Sequence, residues 1–352
     1  HAPEMRLYQG LVWYQRTFEF KPQPGKRFFL RFGAADYAAS VYLNGKPVGT
    51  HRGGFTPFAF EVTDTLRKGS NQITVGVDSA RTDADVPPPV TDWETYGGIT
   101  RSVTLIGVPE TYVDDAFIRL TPEGRIAASI KVDGTQPAVP LTVRIPALGM
   151  TIRGHTDGLG RWTGNAAAPA ALKRWSPDSP TLYDVRIEAG EDALTDRIGF
   201  RTVAVQGTKI LLNGNPIFLR GISMHEEELG KDPVRAITPA AARALLTEIK
   251  HGLNGNFVRL AHYPHSEVMT RMADELGLLV WSEVPVYWRV GWANAETLKD
   301  ARAMLRENIL RDRNRASIVL WSVANETPVS DARNAFLRML ISDVRALDDT
   351  RL

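Results

Sequence analysis

Polar and ionisable side chains stand at the ends of four strand-like apolar segments in the second half of the chain. They are His225, His262, Glu283 and the adjacent pair Asn325 and Glu326. A strand that is buried gains nothing from an amide and a carboxylate where it leaves the core. Either these groups face water as ordinary strand-end residues, or the strands hold them in place for chemistry. A carboxylic acid in a fixed position is suited to general acid–base catalysis, which makes Glu326 the first candidate.

The segments that carry these residues alternate with helices after residue 207. Apolar residues at helical spacing, a capping residue at Thr238 and terminal glycines at Gly252 and Gly277 predict helices between the strands. The strands themselves are almost continuously apolar, which is typical of strands covered on both faces. Four strands, each followed by a helix, predict a parallel sheet with helices packed on it.

Two parallel architectures fit this alternation. A doubly wound nucleotide-binding fold needs a glycine-rich turn after its first strand, and the stretch LRGISMHEE offers one glycine, inside the strand. A (β/α)8 barrel collects catalytic residues at the carboxyl ends of its strands, which is the pattern seen here. We therefore predict the first four β/α units, half of a (β/α)8 TIM barrel, over residues 204–352.

Two β-rich regions precede this unit, so the predicted fold class is multidomain β plus α/β. Residues 1–110 show short runs of near period-two alternation, and Asn44-Gly45 predicts a type I′ hairpin turn. We interpret this region as a jelly-roll β-sandwich. Residues 111–203 have further strand patterns, and their length suits an immunoglobulin-like sandwich.

The composition excludes several classes of partner. The net charge of +2 gives no electrostatic reason to expect nucleic acid, and no apolar run is long enough for a membrane span. The absence of cysteine from the sequence excludes disulfides and thiolate metal sites. The chain starts at His1, so we expect a periplasmic or secreted protein if a signal peptide was removed, and a cytoplasmic one otherwise.

Longer stretches resemble glycoside hydrolase family 2, which comprises β-galactosidases, β-glucuronidases and β-mannosidases. In the barrel region they are VRLAHYPHSEVMTRMADELGLLVWSEVP and RDRNRASIVLWSVANE. VYLNGKPVGTHRGGFTPFAFEVT and YGGITRSVTL are similar to the family's N-terminal sugar-binding domain, and WSPDSPTLYDV with GFRTV to the end of its immunoglobulin-like domain. The resemblance covers nearly the whole chain and implies hydrolysis of β-linked sugars without a cofactor.

The resemblance implies roles for the two residues at the end of the fourth strand. Glu326 matches the acid/base of a two-carboxylate double displacement, and Asn325 matches a residue that binds the sugar's 2-hydroxyl, or else caps the following turn. The family's nucleophile is a glutamate on strand seven, beyond Leu352. Glu283 is either a pocket acid or a surface residue and does not replace it. We therefore expect a longer enzyme, and no glycosidase activity from the 352-residue chain alone.

The remaining candidates are predicted to bind the substrate or to support the site. His225 and His262 match family histidines that contact sugar hydroxyls. They lie on different strands with no close-spaced ligand pair, and cleavage by two carboxylates needs no metal, so we predict no metal site. Arg259 matches an arginine that steadies the nucleophile, or pairs with an acid on a neighbouring strand. Asp92 either reaches the sugar from the first domain or caps a loop turn.

Two further features of the sequence carry expectations. Trp281, Trp288 and Trp292 are candidates for a wall on which a sugar ring stacks. The family's usual NHPS before strand four is NRAS here, with Arg315 and Ala316, and we expect little consequence because this loop is far from the chemistry.

The function predicted most directly is that of an exo-acting, retaining β-glycosidase that removes a terminal β-glucuronide or β-galactoside. WSVANE and HYPHSE look closer to the β-glucuronidase branch. The expected partner is a carbohydrate substrate, and a homo-oligomer is compatible with the sequence. The rival prediction is a non-catalytic carbohydrate-binding or subunit protein, and a longer reading frame with a second catalytic glutamate would decide between the two.

Overall fold

The first β-rich unit contains nine strands in the computed structural model, which describes residues 8–134, 138–226 and 238–352. The strands are β1 (Leu11–Phe20), β2 (Lys26–Phe32), β3 (Ala35–Asp36), β4 (Ala38–Leu43), β5 (Lys46–Arg52), β6 (Phe58–Glu61), β7 (Gly69–Asp78), β8 (Gly98–Ile99) and β9 (Val103–Pro109). They form antiparallel sheets in the orders β1-β7-β4-β5 and β6-β2-β9, with a small pair β3-β8. Phe32, Val41 and Val75 belong to the core that both larger sheets share.

The predicted hairpin turn is confirmed. Asn44 and Gly45 connect β4 to β5 with φ angles of 52° and 78°. Two consecutive positive φ angles define a type I′ turn, which asparagine and glycine adopt at low cost. The Asn44 side chain also donates to the carbonyl oxygen of Thr65 at 3.0 Å, so the turn is tied to the neighbouring loop.

The second β-rich unit has two antiparallel sheets, in the orders β10-β11-β14 and β13-β12-β15-β16. Its strands are β10 (Tyr112–Leu120), β11 (Arg125–Asp133), β12 (Pro140–Ile145), β13 (Met150–His155), β14 (Arg161–Ala167), β15 (Tyr183–Ala189) and β16 (Asp192–Ile198). Ile126, Val143 and Val185 are buried in one core between these sheets. Both units therefore have the all-β character predicted for them. The jelly-roll and immunoglobulin-like assignments, and the domain boundaries at residues 110 and 203, stay predictions.

The third unit begins with a small antiparallel sheet and continues as alternating strands and helices. The small sheet contains β17 (Val203–Gln206), β18 (Lys209–Leu212) and β19 (Asn215–Pro216). The strands that follow are β20 (Gly221–Met224), β21 (Phe257–Leu260), β22 (Leu279–Glu283) and β23 (Ile318–Ser322), and the helices are α1 (Pro239–Thr247), α2 (Glu267–Leu276), α3 (Ala295–Asp312) and α4 (Asp331–Leu347). β20 to β23 lie side by side and parallel, as the sequence predicts.

The helices begin and end close to their predicted signals. The Thr238 hydroxyl accepts a hydrogen bond from the Ala241 amide at 3.1 Å at the start of α1, which continues as a π-helical turn over Glu248–Gly252. α2 ends at Gly277, whose φ of 74° is left-handed. Across the three described ranges, no helix has the length and apolar character needed to cross a membrane.

The fourth parallel strand is shorter than the sequence predicts. The apolar run to Glu326 was interpreted as one strand, but β23 ends at Ser322, and Glu326 has a φ of 49°, which a strand cannot contain. Asn325 and Glu326 therefore lie in the loop that follows the strand. The outer edge of β23 is paired by Leu352, whose amide donates to Val319 and whose carbonyl accepts from Trp321, both at 3.0 Å.

Buried arginines join the second unit to the parallel sheet. Arg315, expected to matter little, has only 3% of its side chain exposed and pairs with Asp196 of β16 and, at 3.4 Å, with Asp274 of α2. Arg201 donates to the carbonyl oxygens of Ala316 at 3.1 Å and Ile318 at 2.6 Å, where β23 begins. The expectation of little consequence for the chemistry stays a prediction, but Arg315 has a structural role that the sequence did not indicate, because its partner Asp196 is remote in sequence.

Candidate active site

Four of the predicted site residues form one hydrogen-bonded cluster at the carboxyl ends of β21 to β23, in which the two acceptor residues are buried and the other two are partly buried. Arg259 donates to both carboxylate oxygens of Glu283, at 2.7 and 2.9 Å, and to Asn325 Oδ1 at 2.6 Å. His262 Nδ1 lies 2.6 Å from Glu283 Oε1. The Glu283 side chain is fully buried, so its interpretation as a surface residue was wrong, and Arg259 makes the predicted ion pair with a neighbouring strand. We call these four residues the buried cluster.

The buried cluster fixes the orientation of two groups that can bind a ligand. Because Asn325 Oδ1 accepts from Arg259, its Nδ2 carries the free donors, and this buried nitrogen has no partner among the described residues. Because Glu283 is a carboxylate acceptor, the proton of a neutral His262 ring sits on Nδ1, which leaves Nε2 as an acceptor. The Asn325 amide nitrogen and the His262 Nε2 atom can therefore both form hydrogen bonds with a hydroxyl group of a ligand.

Glu326 differs from the buried cluster because its residue is exposed. Its carboxylate Oε2 accepts a hydrogen bond from Trp288 Nε1 at 2.9 Å. Both residues have a φ of 49°, a left-handed conformation that is uncommon for large side chains and concentrates at functional sites. The carboxylate is thus held by one donor while it remains open to solvent.

Backbone pairing holds the loops after β22 and β23 together. The Asn325 amide donates to Val286 at 2.9 Å, and the Trp288 amide donates to Asn325 at 3.1 Å. Tyr287 and Asn325 form a parallel bridge at this point. The pairing of the parallel strands therefore resumes beyond their ends and sets the spacing of Trp288 and Glu326.

The first β-rich unit contributes Trp93 to the site, which the sequence did not single out. Its ring is buried and lies 5.6 Å from the His225 ring, 5.7 Å from His262 and 4.8 Å from Tyr287, measured between centroids. The preceding residue, Asp92, is exposed. Burial, followed by the Asp92 carboxylate, raises the pKa of Tyr287 above its ordinary value. The only sequence signal for Trp93 was its position beside Asp92.

Asp92, His225 and His262 lie close enough together to hold one ion. Their potential ligand atoms are all within 4.8 Å of one another. The histidines follow different strands, as predicted, but β20 and β21 are neighbours and bring the two rings together. The absence of a metal stays a prediction. Two imidazoles and a carboxylate suit zinc, and the Glu283 carboxylate on His262 Nδ1 is the usual arrangement for a metal-binding histidine.

The three candidate tryptophans do not form one wall. Trp281 is covered by Arg259, whose guanidinium carbon lies 4.5 Å from the ring centroid. Trp292 packs edge-on against Phe336 of α4, at 5.3 Å between centroids. Only Trp288 borders a cavity beside Glu326. The prediction of one wall built by all three residues is therefore wrong, and a stacking role for Trp288 stays a prediction.

A second buried acid, Glu226, follows His225 directly and anchors the first unit to the parallel sheet. Arg101 donates to Glu226 Oε2 and to the Pro264 carbonyl, both at 2.8 Å, and the Ser266 amide donates to Glu226 Oε1. Burial lowers the pKa of the neighbouring His265 to about 4. Burial alone would raise the pKa of Glu226, but Arg101 and His265 lower it overall.

Two family models match the chain. One is described as glycosyl hydrolases family 2, sugar binding domain, and covers residues 1–109, and the other as glycosyl hydrolases family 2, TIM barrel domain, and covers residues 203–352. The chain belongs to glycoside hydrolase family 2. The parallel sheet β20 to β23 is thus part of that family's TIM-barrel domain, and the resemblance seen in the sequence is confirmed.

Members of glycoside hydrolase family 2 from several organisms align with most of the chain. A β-galactosidase of Thermoanaerobacter pseudethanolicus is 30% identical over 92% of the chain and 46% of its own length. A β-glucuronidase of Paenibacillus borealis is 27% identical over 99% of the chain and 64% of its own length. The chain thus spans about half to two thirds of the length of these curated relatives.

Solved structures of the family share the fold of the chain. The structure of Bifidobacterium dentium β-glucuronidase complexed with coumarin-3-O-glucuronide superposes with a TM-score of 0.88 at 27% identity, over 98% of this chain and 65% of that one. A structure described as a putative β-galactosidase from Bacteroides fragilis gives 0.85 at 27% identity, over 98% and 55%. The family's glucuronidase and galactosidase branches are therefore both close in fold.

Proposed function

We propose that this chain carries the acid/base and most of the sugar-binding residues of a retaining exo-β-glycosidase. The observation that carries the proposal is the position of Glu326, a solvent-open carboxylate held by Trp288 next to the buried cluster. Glycoside cleavage needs a carboxylic acid that can reach the departing oxygen, and a carboxylate that is fully paired inside the protein cannot do so.

Glu326 is the proposed acid/base of a double displacement. In the first step it protonates the departing oxygen while a second carboxylate, about 5–5.5 Å away, attacks the anomeric carbon. In the second step Glu326 removes a proton from the water that releases the sugar. We assign the attacking carboxylate to a glutamate outside these 352 residues, because Glu283 already bonds Arg259 and His262.

The hydroxyl groups of the sugar are the proposed ligands of the donors and acceptors around Glu326. Asn325 Nδ2 offers a donor for the 2-hydroxyl, a contact that strengthens in the transition state. His262 Nε2 offers an acceptor, and His225 and Asp92 lie beside it. Arg259 and Glu283 act through these residues by fixing their orientation.

The preferred sugar is proposed to be a β-glucuronide, with a β-galactoside as the alternative. Relatives named β-glucuronidase support the first, and relatives named β-galactosidase support the second. An exo-acting enzyme would release one terminal sugar at a time.

The test is release of 4-nitrophenol from the β-glucuronide, β-galactoside and β-mannoside by the full-length protein. We expect turnover of one glycoside, with net retention of anomeric configuration by NMR. Inversion of configuration would reject the double displacement. Sugar binding without turnover of any of the three would instead support a non-catalytic carbohydrate-binding protein.

A further inference from the structure

A cavity of about 400 Å³ lies where the first β-rich unit meets the helices α2 and α3 of the TIM-barrel domain. Among the described residues, its lining has three arginines, Arg31, Arg101 and Arg311, and one carboxylate, that of Glu267. The buried cluster and Glu326 do not line it, so it is separate from the candidate active site. We call this space the arginine cavity.

Two of the three arginines are paired with acids that do not line the arginine cavity. The acid paired with Arg101 is Glu226, whose side chain is fully buried. The acid paired with Arg311 is Asp312, which is equally buried. A ligand in the cavity therefore contacts the guanidinium groups and not these two carboxylates. The described lining has three positive charges against the one negative charge of Glu267, which favours an anion.

Arg311 and Arg31 keep hydrogen-bond donors that no described residue uses. Arg311 has only 6% of its side chain exposed and bonds Asn308 and Asp312 through Nε and Nη2. Its Nη1 has no acceptor in the described part of the chain, and a buried donor without an acceptor is costly. The Arg31 guanidinium donates to none of the described residues, because its contact with Glu267 is 3.6 Å long. Both arginines can therefore donate to an acceptor in the cavity.

The start of α2 adds further donors to the same cavity. The Ser266 hydroxyl caps the helix by accepting from the Val268 amide at 3.4 Å, and it can still donate its own proton. The first amides of a helix have no acceptor within it, and the helix dipole favours a negative charge at this end. Thr100 and Ser102 supply two hydroxyl groups from the first unit. Both units therefore offer donors to one anion.

The elements that carry these donors indicate the shape of the anion. One guanidinium can satisfy both oxygens of a planar carboxylate, whereas donors from β2, α2 and α3 together suit a tetrahedral anion with oxygens on several sides. We propose that the arginine cavity binds a tetrahedral oxyanion, a phosphate or a sulfate group, which joins the first unit to the barrel through Arg31 and Arg311. This binding requires no cleavage of glycosides, so the proposal stands apart from the proposed glycosidase function.

Calorimetric titration of the full-length protein with sodium phosphate, sodium sulfate or sodium acetate tests the proposal, at neutral pH and constant ionic strength. Arg31→Gln is the variant to compare with the wild type, because Arg31 is 32% exposed and its guanidinium has no hydrogen bond to the described residues that would be lost. Arg302→Gln is the matched control, since Arg302 also pairs with one acid at the surface, Asp343, and does not line the arginine cavity.

We expect the wild type and Arg302→Gln to bind phosphate or sulfate with the same Kd. Arg31→Gln should bind at least about tenfold more weakly, as the loss of a charge-assisted hydrogen bond predicts. Binding of only one of the two ions would support the proposal and identify the group. No binding by the wild type, or the same Kd for all three proteins, would overturn it. Acetate bound as tightly as phosphate and sulfate would overturn the assignment to a tetrahedral anion.

The melting temperature gives a second measurement on the same three proteins. An ion that binds the folded state should raise the Tm of the wild type and of Arg302→Gln, and should raise that of Arg31→Gln by less. Phosphate and sulfate also stabilise proteins in general, because they are excluded from protein surfaces. An equal rise of the Tm in all three proteins would therefore reflect this general effect and count against a site at Arg31.

Discussion

The buried cluster and Glu326 lie next to each other, because Asn325 of the cluster directly precedes Glu326 in the chain. Their environments differ. Glu283 is fully buried and bonded to two cationic or polar partners, whereas Glu326 is exposed and accepts one hydrogen bond in the structure described here, from Trp288. A carboxylate of the first kind fixes the orientation of other side chains. A carboxylate of the second kind can exchange a proton with a ligand. Glu283 ends β22, and Glu326 lies in the loop after the neighbouring β23, so their environment distinguishes their proposed roles better than their position does.

The largest effect should come from Glu326→Gln in the full-length protein. Loss of general acid–base catalysis should lower kcat/KM by about 10²–10⁴-fold for glycosides with poor leaving groups. Stability should stay within about 0.5 kcal/mol of the wild type, because the residue is exposed. Steady-state kinetics with a series of leaving groups and urea unfolding measure the two effects. A loss in the glycosylation step that is the same for every leaving group would contradict the assignment.

Glu283→Gln, in contrast to Glu326→Gln, should have its main effect on the stability of the protein. Removal of one member of a buried ion pair leaves Arg259 without its counter-charge, at a cost of about 3–5 kcal/mol. Urea unfolding gives the change in free energy. Glu188→Gln is the control, because Glu188 pairs with Arg144 and Arg186 at the surface, where the ion pairs are screened by water and their loss should change stability far less. If both substitutions lower the free energy of unfolding by the same amount, Glu283 is not the centre of a buried cluster.

The pH dependence of stability tests a second buried group, His265. Burial lowers the pKa of His265 in the folded protein to about 4, below its ordinary value of about 6.5. Protonation therefore favours unfolding, and stability that is complete above pH 6.5 should fall toward pH 4, by up to about 1.4 kcal/mol per pH unit. Glu226, Arg101 and His225 face this ring. Because the pKa of Glu226 is lowered, its stabilising contribution is lost only as the pH falls below the ordinary value of 4.5, at the acid end of this window.

His265→Gln identifies the source of that pH dependence. The amide can still donate to the Ala261 carbonyl, which His265 Nε2 contacts at 2.9 Å, but it does not titrate. Unfolding free energies measured from pH 7 to pH 4 should show a shallower slope in the variant than in the wild type. Parallel curves would show that another group is responsible.

The smallest effect should come from Trp288→Phe, which removes the one described donor to Glu326. Loss of a hydrogen bond worth about 0.5–1.5 kcal/mol should lower kcat by about two- to tenfold. The loss should be greater for poor leaving groups, as for Glu326→Gln. Trp292→Phe is the matched control, since Trp292 packs against Phe336 and does not contact the acid. An equal loss of kcat in Trp288→Phe and Trp292→Phe would indicate a general loss of packing.

Local patterns in the sequence were enough to predict the elements and the residues at their ends. The Asn44-Gly45 turn, the Thr238 cap and the Gly277 terminus depend on neighbours a few residues away, and all three are confirmed. The proposed roles of Glu326 and Asn325 stay predictions, although the structure brings both to the predicted edge of the sheet.

What the sequence did not predict depends on contacts between distant segments. The end of β23 at Ser322 follows from pairing of the next residues with the loop after β22. Trp93 reaches the histidines only because the first unit folds over the sheet. The buried ion pair of Arg315 was not predicted, since nothing near it in sequence identifies Asp196 as its partner. Hydrophobic periodicity carries no information about such pairs.

The arginines at the base of β23 restrict how this architecture can be recombined. Arg201 belongs to the second unit, yet it donates to backbone oxygens of the segment that leads to the proposed acid, at Ala316 and Ile318. A chimera that replaced residues 111–203 with the equivalent part of a relative would remove the Arg201 donor from the Ala316 carbonyl unless an arginine were retained at position 201, whereas the Ile318 carbonyl would still accept from Arg351 at 3.1 Å. The middle unit is therefore inherited together with β23, and a recombined protein that exchanges it must keep an arginine at position 201.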